Sequence, residues 1–321
     1  MKTPRVSVIV PCYNTANFVS ATLESVFAQT YTDYEIIVVN DGSPDTVELE
    51  RVLAPWADRI VYVKTTNQGL AGARNNGIRA SKGELIALLD SDDLWEPNYL
   101  DVQVRKLDEN PSADVVYPNA LIFGAEPEAR SHFIASTGEV TFTSLIQETC
   151  VVMVSVLARR SALERAGLFD SSLRSCEDFD MWLRCIKSGS RIIYHDQVLV
   201  CYRRRKGSLS SDPVWMRDHA AKVLIKMRDA VQMTPEERDI LEATLRRFEG
   251  ERLFHEGKRA FRAGDIPTAI DRLQQSNSRW RSVRIRMILF LLRTMPGLIR
   301  AAYVWKSGAG QDDAAGHSGS R

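Results

Sequence analysis

The sequence predicts an α/β protein whose sheet is covered on both faces. Short runs of Val, Ile and Leu recur through the first third of the chain, amphipathic stretches separate them, and the runs are apolar on consecutive residues. A strand with one wet face alternates polar and apolar side chains, whereas unbroken apolar runs belong to strands sandwiched between helices.

The elements follow in order. VSVIVPCYN (6–14) reads as a buried strand, followed by a helix with Val19, Leu23, Val26 and Phe27 on one face at i, i+4, i+7 and i+8. YEIIVVNDGS (34–43), RIVYVKT (59–65) and ELIALLDSDD (84–93) are the next three strands, with helical segments between them. After Asp114 the pattern changes. DVVYPNALIFG (114–124) and TCVVMVSVLA (149–158) are strand-like, CEDFDMWLRCI opens a helix, and IIYHDQVLVCYRRR (192–205) reads as a pair of strands with a turn. From about Pro213 the chain is helical and charged. GKRAFRAGDIPTAIDRLQQS (257–276) has the small residues and Gly-Asp turn of one tetratricopeptide-like helix pair, which cannot bury its own faces and must pack on the main domain or on a partner. The expected division is a main domain over 1–211, a helical extension over 212–306 and a disordered tail over 307–321.

Composition narrows the classes. At 321 residues the chain can bury a large core and exceeds one ordinary domain. Its net charge of +1 argues against a general nucleic-acid binder. Five scattered cysteines, odd in number and without a Cys-x-x-Cys pair, suit a reducing, cytoplasmic setting. MKTPRVSVIVPCYN turns polar too soon for a secretory signal, and no stretch reaches bilayer length. Residues 279–306 carry Arg279, Arg281, Arg284, Arg286, Arg293, Arg300 and Lys306 without an acid, interspersed with Ile288, Leu289, Leu291, Leu292, Leu298, Ile299 and Trp305. Such a segment suits the headgroup region of an anionic membrane, so peripheral attachment at the inner face of the cell membrane is expected. The plainer reading is a helix packed on the main domain with its arginines in water.

The strand ends carry the chemistry. The first run ends in Pro11, Tyr13 and Asn14, the second in Asn40, Asp41, Gly42 and Ser43, and the fourth in Asp90, Ser91, Asp92 and Asp93. Ligands of open α/β sheets sit outside the carboxyl ends of strands, although the same residue types also form turns and caps. Asp90 and Asp92 form an Asp-x-Asp pattern that could offer two oxygens to one Mg²⁺ or Mn²⁺, ions that need few carboxylates when substrate phosphates complete the shell. Alternatively, Asp92 or Asp93 caps the helix beginning near Pro97. In NQGLAGARNNGIRAS (67–81), Gly69, Gly72 and Gly77 permit close backbone approach, and Arg74 offers a planar fork for phosphate or carboxylate, or for Asp90 or Asp93. The stretch is neither a Gly-x-Gly-x-x-Gly fingerprint nor a P-loop. In CEDFDMWLRCIKSG (176–189), Phe179, Trp182, Leu183 and Ile186 form one buried face and leave Glu177 and Asp178 in the first turn. Carboxylates there are kept ionised by the helix dipole and can act as a general base, or merely complement the dipole.

Taken in order, VSVIVPCYN, VVNDGS, NQGLAGARNNGI, LDSDDLW, EDFDMWLR and YRRRKGSLS resemble the motif series of family 2 glycosyltransferases of the GT-A fold, over roughly residues 4–211. The resemblance implies a Rossmann-like mixed sheet flanked by helices, and inverting transfer of a sugar from a nucleotide sugar, commonly UDP-linked. By position it implies that Pro11, Tyr13 and Asp41 hold base and ribose and that Arg74 lies close to the nucleotide, with Asn14 and Ser91 in the same nucleotide-sugar site. Asp90 would contact the ribose or metal side, Asp92 would bind the Mg²⁺ or Mn²⁺ that bridges the diphosphate, and Asp178 would take the proton of the acceptor hydroxyl, with Glu177 as second choice. Family members often carry a histidine two residues beyond a Tyr-Arg near the domain's end. Here Tyr202 and Arg203 are followed by Arg204, Arg205 and Lys206, and Arg205 cannot ligate a cation but could neutralise the diphosphate directly. No Gln-x-x-Arg-Trp motif is present, so addition of a single sugar to a lipid-linked or polysaccharide acceptor is expected over processive synthesis. Two other classes compete: a non-catalytic nucleotide-sugar sensor or scaffold, and a nucleotidyltransferase. The latter should show a Gly-rich basic loop where this chain reads PCYNTANF.

Overall fold

The computed structural model describes residues 3–124, 131–133, 139–205, 208 and 212–297. The chain divides into two compact units, Met1–Leu241 and Glu242–Arg321.

The first unit is built on a sheet that, among the described residues, has nine strands. Its first half alternates strand and helix: β1 (Val6–Cys12), α1 (Ala16–Phe27), β2 (Tyr34–Asp41), α2 (Thr46–Leu53), β3 (Val61–Thr65), α3 (Gly69–Ala80) and β4 (Leu85–Leu88). These strands lie side by side in the order β3-β2-β1-β4, all parallel. The unbroken apolar runs explain why: β1 is buried along its whole length and β4 likewise, and each needs a helix on either face. Helix α3 lies against β1 and β2 so closely that a Cβ on Gly77 would fall 2.4 Å from Ile9 Cγ2. On α1, Val19, Leu23 and Val26 are fully buried, while Phe27 is half-buried beneath Arg59. The chain leaves β1 toward β2 on one side and returns from β3 to β4 on the other. The crevice between β1 and β4 is therefore the topological switch point, where such sheets bind ligands.

The second half turns the sheet mixed. It comprises β5 (Leu94–Trp95), α4 (Tyr99–Glu109), β6 (Val115–Phe123), β7 (Ser131–Phe133), α5 (Phe142–Ile146), β8 (Leu157–Arg159), α6 (Arg160–Arg165), α7 (Glu177–Lys187), β9 (Ile192–Arg203) and α8 (Pro213–Ala230). Strand β8 runs antiparallel to β4 and β6, β9 parallel to β6, and β5 antiparallel to the end of β9. Two sequence expectations are corrected here. Residues 192–203 form one strand, not two with a turn. Its polar middle, His195 to Gln197, lies where the register jumps from Tyr117↔Tyr194 to Asn119↔Val198. The intervening Pro118 has no N–H for the ladder, so the pairing bulges instead of the chain reversing. In the stretch 149–158 only the end is strand. The residues before it lie outside the strand: the Val156 N–H bonds locally to the carbonyl of Val154, while the Val156 carbonyl accepts the Leu88 N–H at the end of β4.

Helix α8 lies beyond the expected boundary at 211 yet belongs to this unit. Lys226 on α8 donates to both Asp170 and Asp180, each at 2.6 Å. In the second unit, the long helix α9 (Pro235–Ala263), which begins in the first, turns through Gly264 (φ +84°) into α10 (Ile266–Trp280). Asp265 caps α10 by accepting the Thr268 N–H. This is the helix pair expected from 257–276. Leu273 packs with Ile285, Leu289 and Leu292 of α11 (Val283–Thr294). Residues 298–306, with Tyr303 and Trp305, and the tail 307–321 lie outside the described residues. Among the described residues, no helix is long and apolar enough to cross a membrane.

Candidate active site

Three strand ends meet at the switch point, each shaped differently. At the end of β1, Pro11 is buried within the strand, Tyr13 emerges half exposed, and Asn14 adopts a left-handed conformation (φ 55°) with its N–H donating to Ser43 Oγ at 2.7 Å. Asp45 accepts the Ala16 N–H at 2.8 Å and so fixes the start of α1. At the end of β2, Asn40 Oδ1 accepts the Ser43 N–H and Asp41 Oδ1 accepts the Gln68 N–H at 2.8 Å. Burial raises the Asp41 carboxyl above its ordinary range, against the pull of the Gln68 and Gly69 N–H groups. Gly42 (φ +61°) makes this junction possible, since a Cβ there would lie 2.6 Å from the Asn67 nitrogen.

The acidic cluster after β4 splits into two inward and two crevice-facing members. Ser91 is buried with its hydroxyl donating to Thr15 Oγ1 at 2.8 Å, and Asp93 is buried with its carboxylate accepting the Arg203 N–H at 2.7 Å. Burial, and then Asp90, push the Asp93 carboxyl well up. Asp90 Oδ1 accepts from Arg74 Nη2 at 2.8 Å, and Asp92 Oδ2 accepts from Arg205 Nε at 2.7 Å. Arg203 Nε donates to the Asp92 carbonyl at 2.7 Å. Burial raises the Asp92 carboxyl and Arg205 opposes the rise. Neither Asp92 nor Asp93 caps a helix, because β5 stands between them and α4.

Arg74 joins the cluster to α7. Its side chain is 2% exposed; Nη1 donates to Glu177 Oε1 at 2.5 Å and Nη2 to Asp90, and Phe169 flanks the guanidinium at 5.5 Å. Burial alone would lower its pKa, but Asp90, Glu177 and Asp178 together raise it. Of the two carboxylates proposed for this fork by sequence, Asp90 is the partner and Asp93 is not. Cys176, left-handed at φ 57°, precedes α7 and sets Glu177 and Asp178 in its first turn. Asp178 is half-buried, and its Oδ1 accepts the N–H of Phe179 at 2.7 Å. Burial, followed by the charge of Glu177, pushes its carboxyl up to about 6, with Arg74 resisting. The buried face of α7 is broader than the predicted stripe: Asp180, Met181 and Cys185 are buried with Trp182 and Leu183, while Phe179 and Ile186 are only half-buried.

Sequence reasoning missed Thr15, Asp45 and Arg203, which position the loops. Among the described residues, no three His, Cys, Asp or Glu side chains converge as a metal cluster. Asp90 and Asp92 each hold an arginine on one carboxylate oxygen, which leaves one oxygen apiece for a cation. That donor set fits only a sparse Mg²⁺ or Mn²⁺ site whose shell is completed by phosphate.

An α/β sheet of this order, with its polar groups gathered at the switch point, defines a protein of the nucleotide-binding class. Residues 7–167 match the model of glycosyl transferase family 2, and the chain belongs to that family. It is 31% identical over 210 residues to an uncharacterized glycosyltransferase of Rickettsia typhi, a match that covers 61% of this chain and 63% of the relative. A Rickettsia bellii relative is matched over only 30% of its length, so the chain spans less than two thirds of these relatives. Among solved structures it resembles Staphylococcus aureus TarS 1–349 in complex with UDP-GlcNAc (TM-score 0.61, 20% identity, 90% of this chain and 87% of that one). It also resembles the mannosyltransferase PcManGT of Pyrobaculum calidifontis in complex with GDP-Man and Mn²⁺ (TM-score 0.61, 20% identity, 96% and 84%). At that identity the likeness establishes the fold, which is GT-A.

Proposed function

We propose that the protein is an inverting glycosyltransferase that moves a single sugar from a nucleotide sugar, a UDP-sugar, to a hydroxyl of a lipid-linked or polysaccharide acceptor. One observation carries the reading: the buried Arg74 fork holds the crevice-facing Asp90 and the first turn of α7 together. Donor-side carboxylates and a candidate base thereby share one rigid frame. Pro11, Tyr13, Asn14 and Asp41 are assigned to base and ribose, with the exposed Tyr13 ring offering a stacking face. Ser91 acts through its bond to Thr15, shaping the loop. Asp92 and Asp90 would hold a Mg²⁺ or Mn²⁺ ion, which would supply positive charge to the departing diphosphate. Asp178 is the better base than Glu177, because Glu177 is bonded to Arg74 while Asp178 has no cation on either oxygen among the described residues. The complexes of TarS with UDP-GlcNAc and of PcManGT with GDP-Man and Mn²⁺ favour a nucleotide-sugar donor. Screening nucleotide sugars for Mn²⁺-dependent thermal stabilisation tests the class: a UDP-sugar is expected to raise Tm, and no response to any nucleotide sugar sinks it.

The base assignment has a pH signature. With its folded-state carboxyl near 6, Asp178 is ionised above that value and protonated below it. The kcat/KM profile, which reports the free enzyme, is therefore expected to fall as pH drops through about 6. A profile flat to pH 5 would contradict the assignment.

Attachment to the inner membrane face is supported by α11, where Val283, Met287 and Phe290 are exposed at i, i+4 and i+7 beside Arg284 and Arg286. The free state of all five cysteines suits a cytoplasmic site. The full chain is expected to co-sediment with vesicles containing phosphatidylglycerol and less with neutral ones, and the double variant Met287→Glu/Phe290→Glu is expected to lose binding. Equal sedimentation of variant and wild type would refute the interfacial role.

A further inference from the structure

We propose that Arg205 is a built-in counter-cation that occupies Asp92 until a nucleoside diphosphate arrives, so that metal and donor enter the site together and not separately. The inference rests on the donor reading above and adds a regulation to it. Arg205 is delivered to Asp92 by the fold. Strand β9 pairs with β5 through Leu94↔Cys201 and Trp95↔Val200. The Asp93 carboxylate then takes the Arg203 N–H, and the Asp92 carbonyl takes Arg203 Nε. With Arg203 pinned twice to the acidic loop and its guanidinium 4.4 Å from the centre of the Phe123 ring, the chain two residues on has little freedom. Arg205 therefore lands with Nε 2.7 Å from Asp92 Oδ2 and its guanidinium 5.5 Å from the Phe18 ring.

The contact is one-sided. Only Nε is engaged, and the two terminal nitrogens make no hydrogen bond among the described residues. Those nitrogens are the part of a guanidinium that grips phosphate in a fork. The arginine thus blocks one oxygen of the aspartate and presents unused donors where a diphosphate would lie. A divalent ion alone must compete with a fixed positive charge for Asp92 and gains only two free carboxylate oxygens in return. A diphosphate changes both terms: it draws the guanidinium off Asp92 Oδ2 and brings oxygens of its own to the ion. The two ligands then favour each other, and the coupling is reciprocal.

The test uses the full chain, with Mn²⁺ followed by the loss of its free-ion electron paramagnetic resonance signal, with and without UDP. Wild type is expected to bind Mn²⁺ alone weakly and to bind it about 10-fold or more tightly once UDP is present, within the usual range of such couplings. Arg205→Gln is expected to bind Mn²⁺ alone more tightly than wild type by a similar factor, with the further effect of UDP reduced. Arg205→Lys, which keeps the charge, is expected to stay close to wild type with Mn²⁺ alone. If Arg205→Gln binds Mn²⁺ alone no better than wild type, the proposal is overturned. That comparison needs no nucleotide, so it is separate from the donor reading, which fails instead if no nucleoside diphosphate binds wild type at any Mn²⁺ concentration.

Discussion

Asp178→Asn is expected to lower kcat by about 10²–10⁴, the usual contribution of a positioned general base, while leaving the folded protein at least as stable as wild type at pH 7.5. Both halves follow from the same environment. Asn keeps an Oδ1 to accept the Phe179 N–H, so the first turn of α7 is preserved. It has no proton-accepting carboxylate, so the acceptor hydroxyl loses its base. For stability, the folded-state carboxyl lies near 6, above the ordinary 3.8. An acid whose pKa is raised by folding favours the folded state only while protonated. That contribution is complete below the ordinary value and is lost as pH rises through about 6. At pH 7.5 the wild-type charge is a burden, and the neutral amide removes it. Glu177→Gln separates the two candidates, because it takes a charge from Arg74 and should reduce stability along with turnover. Thermal melts beside steady-state kinetics decide the matter. If Asp178→Asn turns over within a few-fold of wild type with donor binding intact, the base lies elsewhere.

The parts of the molecule that were legible in the sequence are those governed by neighbours along the chain. Consecutive apolar residues marked β1, β2 and β4 because burial on both faces leaves no room for alternation. The spacing of Val19, Leu23 and Val26 marked α1, and the Gly-Asp turn marked the junction of α9 and α10. What stayed hidden depends on long-range register. Arg74 meets Glu177 across 103 positions and Arg205 meets Asp92 across 113, and no local period encodes either meeting. The stripe predicted for α7 was too narrow for a related reason. Asp180 is fully buried because Arg184 and Lys226 both reach it, so a helix covered by α8 as well as by α5 and α6 buries polar residues that an amphipathic pattern assigns to water. Likewise Asp93, which the sequence offers as a helix cap or a partner of Arg74, serves as an anchor for Arg203.

Arg74→Ala is expected to destabilise the first unit by about 3–5 kcal/mol, the loss typical when one partner of a buried ion pair is removed. The arginine is 2% exposed and spans Glu177 and Asp90, with Asp178 close enough to help raise its pKa. Without it, Glu177 is a buried carboxylate with no cation of its own, and Asp90 and Asp178 lose the positive charge beside them. The loss must therefore depend on pH. Burial and Glu177 already push the Asp178 carboxyl up to about 6 against the pull of Arg74, so in the variant it rises further, and stability is regained as pH falls through that raised value. Urea midpoints should show a deficit that is largest at pH 8 and smaller at pH 5. Lysine is not expected to rescue, because a single ammonium cannot span both carboxylates as the planar fork does. A deficit under about 1 kcal/mol at pH 8, far below the expected loss, would mean that water or rearrangement already satisfies these acids and that Arg74 is not what holds them. If Arg74 served only a bound nucleotide, activity would fall while both midpoints stayed where they are, and the frame that joins Asp90 to the base on α7 would have to come from some other contact.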